Sequence, residues 1–81
     1  MNEIKDILNS FLGEIEYKLI DIKKVFDHDF KINVLQIFVA KKNNQKIDSD
    51  ELGQINKLIF EKIYDFIPDD YTLEVSTKGI Y

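Results

Sequence analysis

The sequence predicts an α+β fold, a two-layer sandwich of order α-β-β-α-β with two helices packed on one face of a three-stranded sheet. Two segments carry apolar residues at helical spacing, and three others are rich in β-branched residues or alternate between apolar and polar. At 81 residues with 44% hydrophobic residues, the chain can build one small core. Residues 1–81 are therefore expected to form a single domain.

The first helix is predicted from about Glu3 to Leu12. Asn2 precedes this segment as a candidate N-cap, and Gly13 follows it as a candidate end signal. The apolar residues fall at i, i+3, i+4 and i+7 on one side of a helix, and they are Ile4, Ile7, Leu8 and Phe11.

The first two strands are predicted over residues 14–26 and 30–41, separated by the polar residues Asp27-His28-Asp29. Residues 14–26 hold too many closely spaced apolar and β-branched residues for an amphipathic helix. The polar triplet indicates an antiparallel hairpin. The core-facing residues of the second strand are predicted to be Leu35, Ile37 and Val39. Ile32 and Val34 alternate out of phase with these three residues, so a β-bulge near Val34 or Leu35 is predicted to keep both groups inside.

The second helix is predicted to begin at about Ser49, because the residues before it form a start signal. Asp48 and Glu51 have the spacing of a capping box, in which each side chain accepts from the backbone N–H of the other. Ile47 can pack against Leu52 as a hydrophobic staple. The core stripe is predicted to be Leu52, Ile55, Ile59, Ile63 and Phe66, with Leu58 and Ile67 at its margins.

The last strand is predicted after Pro68, which ends the helix because the residue before a proline resists helical geometry. Asp69-Asp70 then turns the chain. The second helix makes a crossover, so the second and third strands are predicted to be parallel if they are adjacent. In the third strand an apolar set alternates with a polar set, namely Tyr71, Leu73 and Val75 with Thr72, Glu74 and Ser76.

The net charge of -4 and a pI near 4.8 argue against a domain that holds bare RNA by electrostatics, which requires clustered Lys or Arg. A basic protein partner suits this charge better. The absence of cysteine from the sequence excludes a disulfide framework and thiolate metal sites. No signal peptide and no apolar run near the roughly 20 residues of a membrane helix are visible. The chain is expected to be cytoplasmic, monomeric and unattached to a membrane.

Two carboxylate groups are the candidates for catalysis or metal binding, but the sequence favours a non-enzyme without cofactor or metal. The first group resembles a calcium loop, yet Leu52 and Ile59 occupy positions that need oxygen ligands, and helix capping explains its residues. His28 is interpreted as an exposed turn residue. The first group consists of Asp48, Asp50 and Glu51, and the second of Asp69, Asp70 and Glu74. A small metal-dependent hydrolase stays open as an alternative, and its residues would be Asp48 and Asp50, or the second group.

Two further sets of residues are candidates for partner contacts. Phe60 and Tyr64 lie one helical turn apart beside the predicted core stripe, and they fit either a core margin or a docking surface. The loop after the second strand holds the basic cluster of the chain, which is either solvated or a contact to rRNA phosphate, and it consists of Lys41, Lys42 and Lys46.

Three segments together resemble one protein family. Residues 71–76 read Tyr-Thr-Leu-Glu-Val-Ser and are followed by Gly79. This string resembles the end of the N-terminal domain in the bacterial ribosome maturation factor RimP family, where it leads into Ser-Pro-Gly and an Arg-Pro-Leu segment. Residues 16–22 and 35–41 are similar to the family's Gly-Tyr-Glu-Leu-Val-Asp-Val and Leu-Arg-Val-Tyr-Ile-Asp-Lys segments. Lys78 replaces the family's usual proline, and Glu16 stands in place of its glycine.

The resemblance implies a fold similar to type II KH domains, although the Gly-x-x-Gly loop of KH domains is missing here. It also implies a factor that binds the immature small ribosomal subunit and helps to install a basic ribosomal protein of the decoding region, with rRNA contact secondary. Complete members of the family carry a second, SH3-like domain, so this chain is expected to be a domain or a shortened member. An interaction module unrelated to ribosomes remains the alternative. The expected partner-binding or hinge residues are Glu74, Ser76, Thr77, Lys78 and Gly79.

Overall fold

The computed structural model of the chain describes residues 2–77, and its elements follow the predicted order α-β-β-α-β. A single 3-10 turn, Tyr64–Phe66, follows the second helix. Among the described residues no helix is long and apolar enough to cross a membrane. The helices and strands are α1 (Asn2–Glu14), β1 (Tyr17–Asp27), β2 (Ile32–Lys41), α2 (Ser49–Ile63) and β3 (Tyr71–Thr77).

The sheet has the strand order β1-β2-β3, so that β2 is central and the other two strands are edges. β1 and β2 pair antiparallel as the predicted hairpin. β2 and β3 pair parallel, with Leu35 opposite Leu73 and Ile37 opposite Val75. The crossover through α2 therefore produces the parallel pair that the order of elements predicts.

The core lies between the sheet and the two helices, with α1 packed on β1, α2 packed on β3, and the helices in contact with each other. The alternation in β2 is confirmed, because its three predicted inward residues have no exposed surface. Ile47 is also buried, and Leu52 packs against the same cluster. The buried residues of the core are Ile4, Leu8, Leu12, Leu35, Ile37, Val39, Ile47, Ile55, Ile59, Ile63 and Val75.

The predicted β-bulge near Val34 or Leu35 is wrong, because the irregularity lies in β1 between Leu19 and Asp21. β2 keeps a continuous register, and Ile32 and Val34 lie on the sheet face away from the helices, with Ile32 36% exposed. The bulge lets Leu19 and Ile22 of β1, which have opposite parity, both lie on the core face, opposite Val39 and Ile37.

The end of α1 differs from the prediction, because the helix continues through Gly13 to Glu14. The residue that takes the left-handed conformation is Glu16, with φ 67°. Lys42 helps to cap this helix end, since its Nζ donates to the Gly13 carbonyl at 3.1 Å. The capping role predicted for the Asn2 side chain lies outside the part of the chain that the structure describes.

The end of α2 also differs, because Phe66 is 45% exposed and does not extend the core stripe. After Ile63 the chain tightens into the 3-10 turn, where the Ile67 N–H donates to the Tyr64 carbonyl at 3.3 Å. A 3-10 turn advances about 120° per residue instead of about 100°, so Phe66 rotates off the stripe. Ile67 packs against the core in its place.

Candidate functional site

Asp48 is the N-cap of α2, as predicted, and its Oδ1 accepts from the Glu51 N–H at 2.8 Å. The reciprocal contact of the predicted capping box is a minor one, because the Asp48 backbone N–H is the last of the groups that lower the pKa of Glu51. The Glu51 carboxylate accepts mainly from the Tyr17 hydroxyl at 2.8 Å and from Lys41 Nζ at 2.9 and 3.1 Å. The side chain therefore ties the start of α2 to the base of the β1-β2 hairpin.

The same contacts set the protonation of this network. The hydrogen bond from Lys41, followed by that from Tyr17, lowers the pKa of Glu51. Burial, followed by the hydrogen bond to Glu51, raises the pKa of Tyr17 to about 12. A carboxylate with a lowered pKa and both oxygens accepting hydrogen bonds is a poor general base, so the network is suited to holding the fold together.

The predicted basic cluster is partly engaged within the chain. Lys41 is paired with Glu51, and Lys42 donates to the carbonyl end of α1. Lys46 is exposed. In the same loop Asn44 Oδ1 accepts from Lys18 Nζ at 3.0 Å. Two of the three candidate lysines thus already bind groups of this chain, and an rRNA contact through this loop remains a prediction.

The second carboxylate group lies near β3 and is exposed. Asp70 accepts from Asn33 Nδ2 at 2.9 Å, and Glu74 accepts from Gln36 Nε2 at 3.1 Å. Both contacts join a carboxylate to the neighbouring strand β2. Within residues 2–77 no three or more His, Cys, Asp or Glu side chains are grouped so that they could hold a metal ion.

Phe60 and Tyr64 are 50% and 56% exposed, so the interpretation of these residues as a core margin is wrong. Their rings stack with centroids 6.0 Å apart and an interplanar angle of 30°. Lys62 shows which side of α2 they occupy, because its Nζ lies 5.2 Å from the ring centroid of Phe11 on α1. Each aromatic residue is two positions from Lys62, about 160° around the helix. The pair therefore lies on the side of α2 that faces away from α1.

The segment around this pair carries much of the net negative charge of the chain. Residues 57–77 contain five carboxylates and two lysines, a net charge of -3 within a chain of net charge -4. We use the term α2-β3 surface for Phe60, Glu61, Tyr64, Asp65 and the outer edge of β3. All four of these side chains are exposed. An aromatic, acidic surface is suited to a cationic partner.

The other predicted contact residues are only partly brought together with this surface. Glu74 and Ser76 alternate with the inward residues of β3 and lie on the sheet face away from the helices, whereas Thr77 has the parity of the core face. Ser76 and Thr77 are half-buried, and the Ser76 hydroxyl donates to the Thr77 carbonyl at 3.3 Å. Lys78 and Gly79 lie outside the described residues.

Sequence reasoning missed an apolar patch at the far end of the β1-β2 hairpin. Phe30 is 77% exposed, and Phe26, at 45%, packs its ring against His28 with centroids 5.0 Å apart. Asp27 shapes the turn, since its Oδ1 accepts from the N–H groups of Asp29 and Phe30 at 2.9 and 3.2 Å. The available signal was a phenylalanine placed directly after a polar turn.

A second missed feature is a cleft of about 300 Å³ between α1 and β1. It opens beside the bulge in β1, and Lys5 and Lys24 line it together with Asn9. The position of the bulge could not be read from the sequence, so neither could the cleft.

A protein-family model matches most of the chain. The model of the RimP N-terminal domain family matches residues 7–81, which cover most of α1 and all later elements. None of the curated proteins compared with the chain matches it. The fold of residues 2–77 agrees with this family, whose members are ribosome maturation factors. The chain belongs to the RimP N-terminal domain family.

Proposed function

We propose that the chain assists assembly of the small ribosomal subunit by binding, without catalysis, a basic ribosomal protein of the decoding region and the immature subunit. The observation that carries this proposal is the family match over residues 7–81. The same role implies a cytoplasmic monomer that needs no cofactor.

The charge distribution supports a protein partner over naked rRNA as the main contact. RNA binding driven by phosphate contacts needs several free Lys or Arg side chains on one face. Lys41 and Lys42 are instead hydrogen-bonded within the chain. The net charge of -3 across residues 57–77 attracts a lysine- and arginine-rich protein and speeds its association.

The contact residues in this proposal are Phe60 and Tyr64 on α2 together with the end of β3. Aromatic residues are enriched in the buried centre of protein–protein interfaces, so exposed aromatic side chains are suited to such a contact. Glu74, Ser76 and Thr77 precede the point where complete members of the family continue into a second domain, so this strand end is also the proposed hinge.

Co-sedimentation with purified ribosomal subunits tests the proposal. The chain should pellet with free small subunits and stay in the supernatant with large subunits, and added salt should weaken the binding because charge steers it. A chain that stays in the supernatant with both subunits, or pellets equally with both, would contradict the proposal.

A double substitution tests the strand end separately. Glu74→Ala with Thr77→Ala should weaken capture of the ribosomal protein, while the melting temperature stays nearly unchanged because Glu74 is exposed and Thr77 only half-buried. Asp29→Ala is the matched control, since it removes one carboxylate from the hairpin turn, away from β3. A binding isotherm identical to wild type would remove Glu74 and Thr77 from the site.

A further inference from the structure

The outer edge of β3 is open within residues 2–77, because the sheet ends at this strand. In a parallel pair, alternate residues direct both N–H and C=O toward the neighbouring strand, and the residues between them direct theirs away. About half of Tyr71–Thr77 therefore presents backbone donors and acceptors outward. Such a row is a template for another strand.

The two edges of the sheet differ in how they are protected. β1 carries the bulge between Leu19 and Asp21, and it has three lysines, Lys18, Lys23 and Lys24. Bulges and lysines are the usual means by which an edge strand avoids pairing. β3 has neither, and its register with β2 is continuous over all seven residues. β3 is therefore the edge that can accept a strand.

The exposed aromatic pair lies on the helix that packs on this open-edged strand. Phe60 and Tyr64 occupy the side of α2 that faces away from α1, and α2 packs on β3. Successive side chains of a strand point to opposite faces of the sheet. A strand added to β3 would therefore point every second side chain toward the helix layer, where the two rings are exposed.

The negative charge near this edge favours a cationic segment as the added strand. Glu61 and Asp65 flank the aromatic pair, and Asp69 and Asp70 lead into β3. Lys57 precedes Phe60 by one turn on the same side of α2, whereas Lys62 points to Phe11 on the other side, so these four carboxylates face one lysine. Lysine and arginine side chains bind both carboxylates and the faces of aromatic rings.

We propose that the outer edge of β3 binds an extended lysine- and arginine-rich segment of a protein partner as a fourth strand. Its backbone pairs with β3, and its cationic side chains lie on Phe60 and Tyr64 and beside Glu61 and Asp65. Strand addition derives affinity from main-chain hydrogen bonds and specificity from alternate side chains. This inference rests on the proposed function, because it assigns the mode by which the basic partner is held.

Amide hydrogen exchange measured by NMR on the 81-residue chain tests the binding mode. The probe is a short peptide of alternating lysine and valine with blocked termini. Its addition should slow exchange of the outward-facing amides of β3, while amides on the outer edge of β1 stay unchanged. Phe60→Ala with Tyr64→Ala should weaken peptide binding about tenfold, from the loss of two cation-π contacts. Phe30→Ala, at a 77% exposed aromatic residue of the hairpin, is the matched control and should bind as wild type does.

Three results would overturn the inference: protection along β1 or along no strand, equal binding of a peptide with glutamate in place of lysine, or a dimer of the free chain paired through β3. The test is separable from the proposed function. If the chain pellets with small subunits while the peptide leaves β3 amides unprotected, the binding mode is wrong and the function stands. If the peptide protects the β3 amides from exchange while the chain does not bind small subunits, the proposed function is wrong and the binding mode stands.

Discussion

Replacement of Glu16 by glycine should stabilise the domain. Glu16 connects α1 to β1 with φ 67°, in the left-handed region that favours glycine. Its side chain is exposed, and its carbonyl accepts from the Lys42 N–H at 3.0 Å, a contact that glycine retains. The related segment of the RimP family carries glycine at this position. Glu16→Gly thus removes backbone strain without removing a side-chain contact found in the structure.

The expected gain is the difference between two opposing effects. A residue with a Cβ loses about 1–2 kcal/mol in the left-handed region, and glycine avoids this loss. Glycine also has more freedom in the unfolded chain, which costs about 0.5–1 kcal/mol. The free energy of unfolding should therefore rise by about 0.5–1 kcal/mol, and for a domain of this size Tm should rise by about 2–8 °C.

Urea and thermal unfolding followed by circular dichroism measure both quantities. Glu14→Gly is the matched control, since it removes the same type of exposed side chain from the last helical residue of α1. The control should lower stability, because glycine is a poor helix former. A Glu16→Gly variant no more stable than wild type would refute the argument that strain at this residue limits stability.

Three further predictions follow from burial and protonation. Leu8→Ala should lower the free energy of unfolding by about 2–4 kcal/mol because the side chain is fully buried, whereas Leu58→Ala, at a 40% exposed site, should cost under about 1 kcal/mol in the same urea titration. Gly53→Ala should raise it by about 1 kcal/mol, since an added Cβ meets no atom within 4 Å in the middle of α2, and a lower urea midpoint would contradict this. Glu51→Gln should bring the pKa of Tyr17 down from about 12 without reaching 10.0, because burial remains, as a phenolate absorbance titration would show. The pKa of Tyr17 is higher in the folded chain than in the unfolded chain, so the stabilisation from this residue is complete below pH 10 and is lost as the pH rises to about 12. Tm measured against pH should show a smaller loss in Glu51→Gln than in wild type.

The sequence predicted the parts of the fold that depend on local periodicity. Leu35, Ile37 and Val39 alternate along β2 and are fully buried. The predicted position of the β-bulge was wrong because apolar residues of opposite parity occur in both strands of the hairpin, and the sequence pattern does not decide which strand takes the bulge. The left-handed conformation of Glu16 was not predicted, because glutamate does not favour it and Gly13, three residues earlier, is the stronger end signal for the helix.

The candidate site was predictable only in part. Helical spacing placed Phe60 and Tyr64 beside the core stripe and left both a core margin and a docking surface possible. The contact between Lys62 and Phe11 fixes the side of α2 on which they lie, and this contact depends on how the two helices pack. The engagement of Lys41 with Glu51 is likewise a tertiary contact between residues on different elements.

Site-specific photocross-linking to free small ribosomal subunits tests whether a basic ribosomal protein binds at the α2-β3 surface. A photoreactive phenylalanine analogue would replace Tyr64, and in a matched variant it would replace Phe30, which is also aromatic and exposed but lies on the hairpin. Position 64 should form cross-links to a lysine- and arginine-rich ribosomal protein of the decoding region, and position 30 should not. Cross-links to rRNA alone, or equal yields from the two positions, would contradict this prediction.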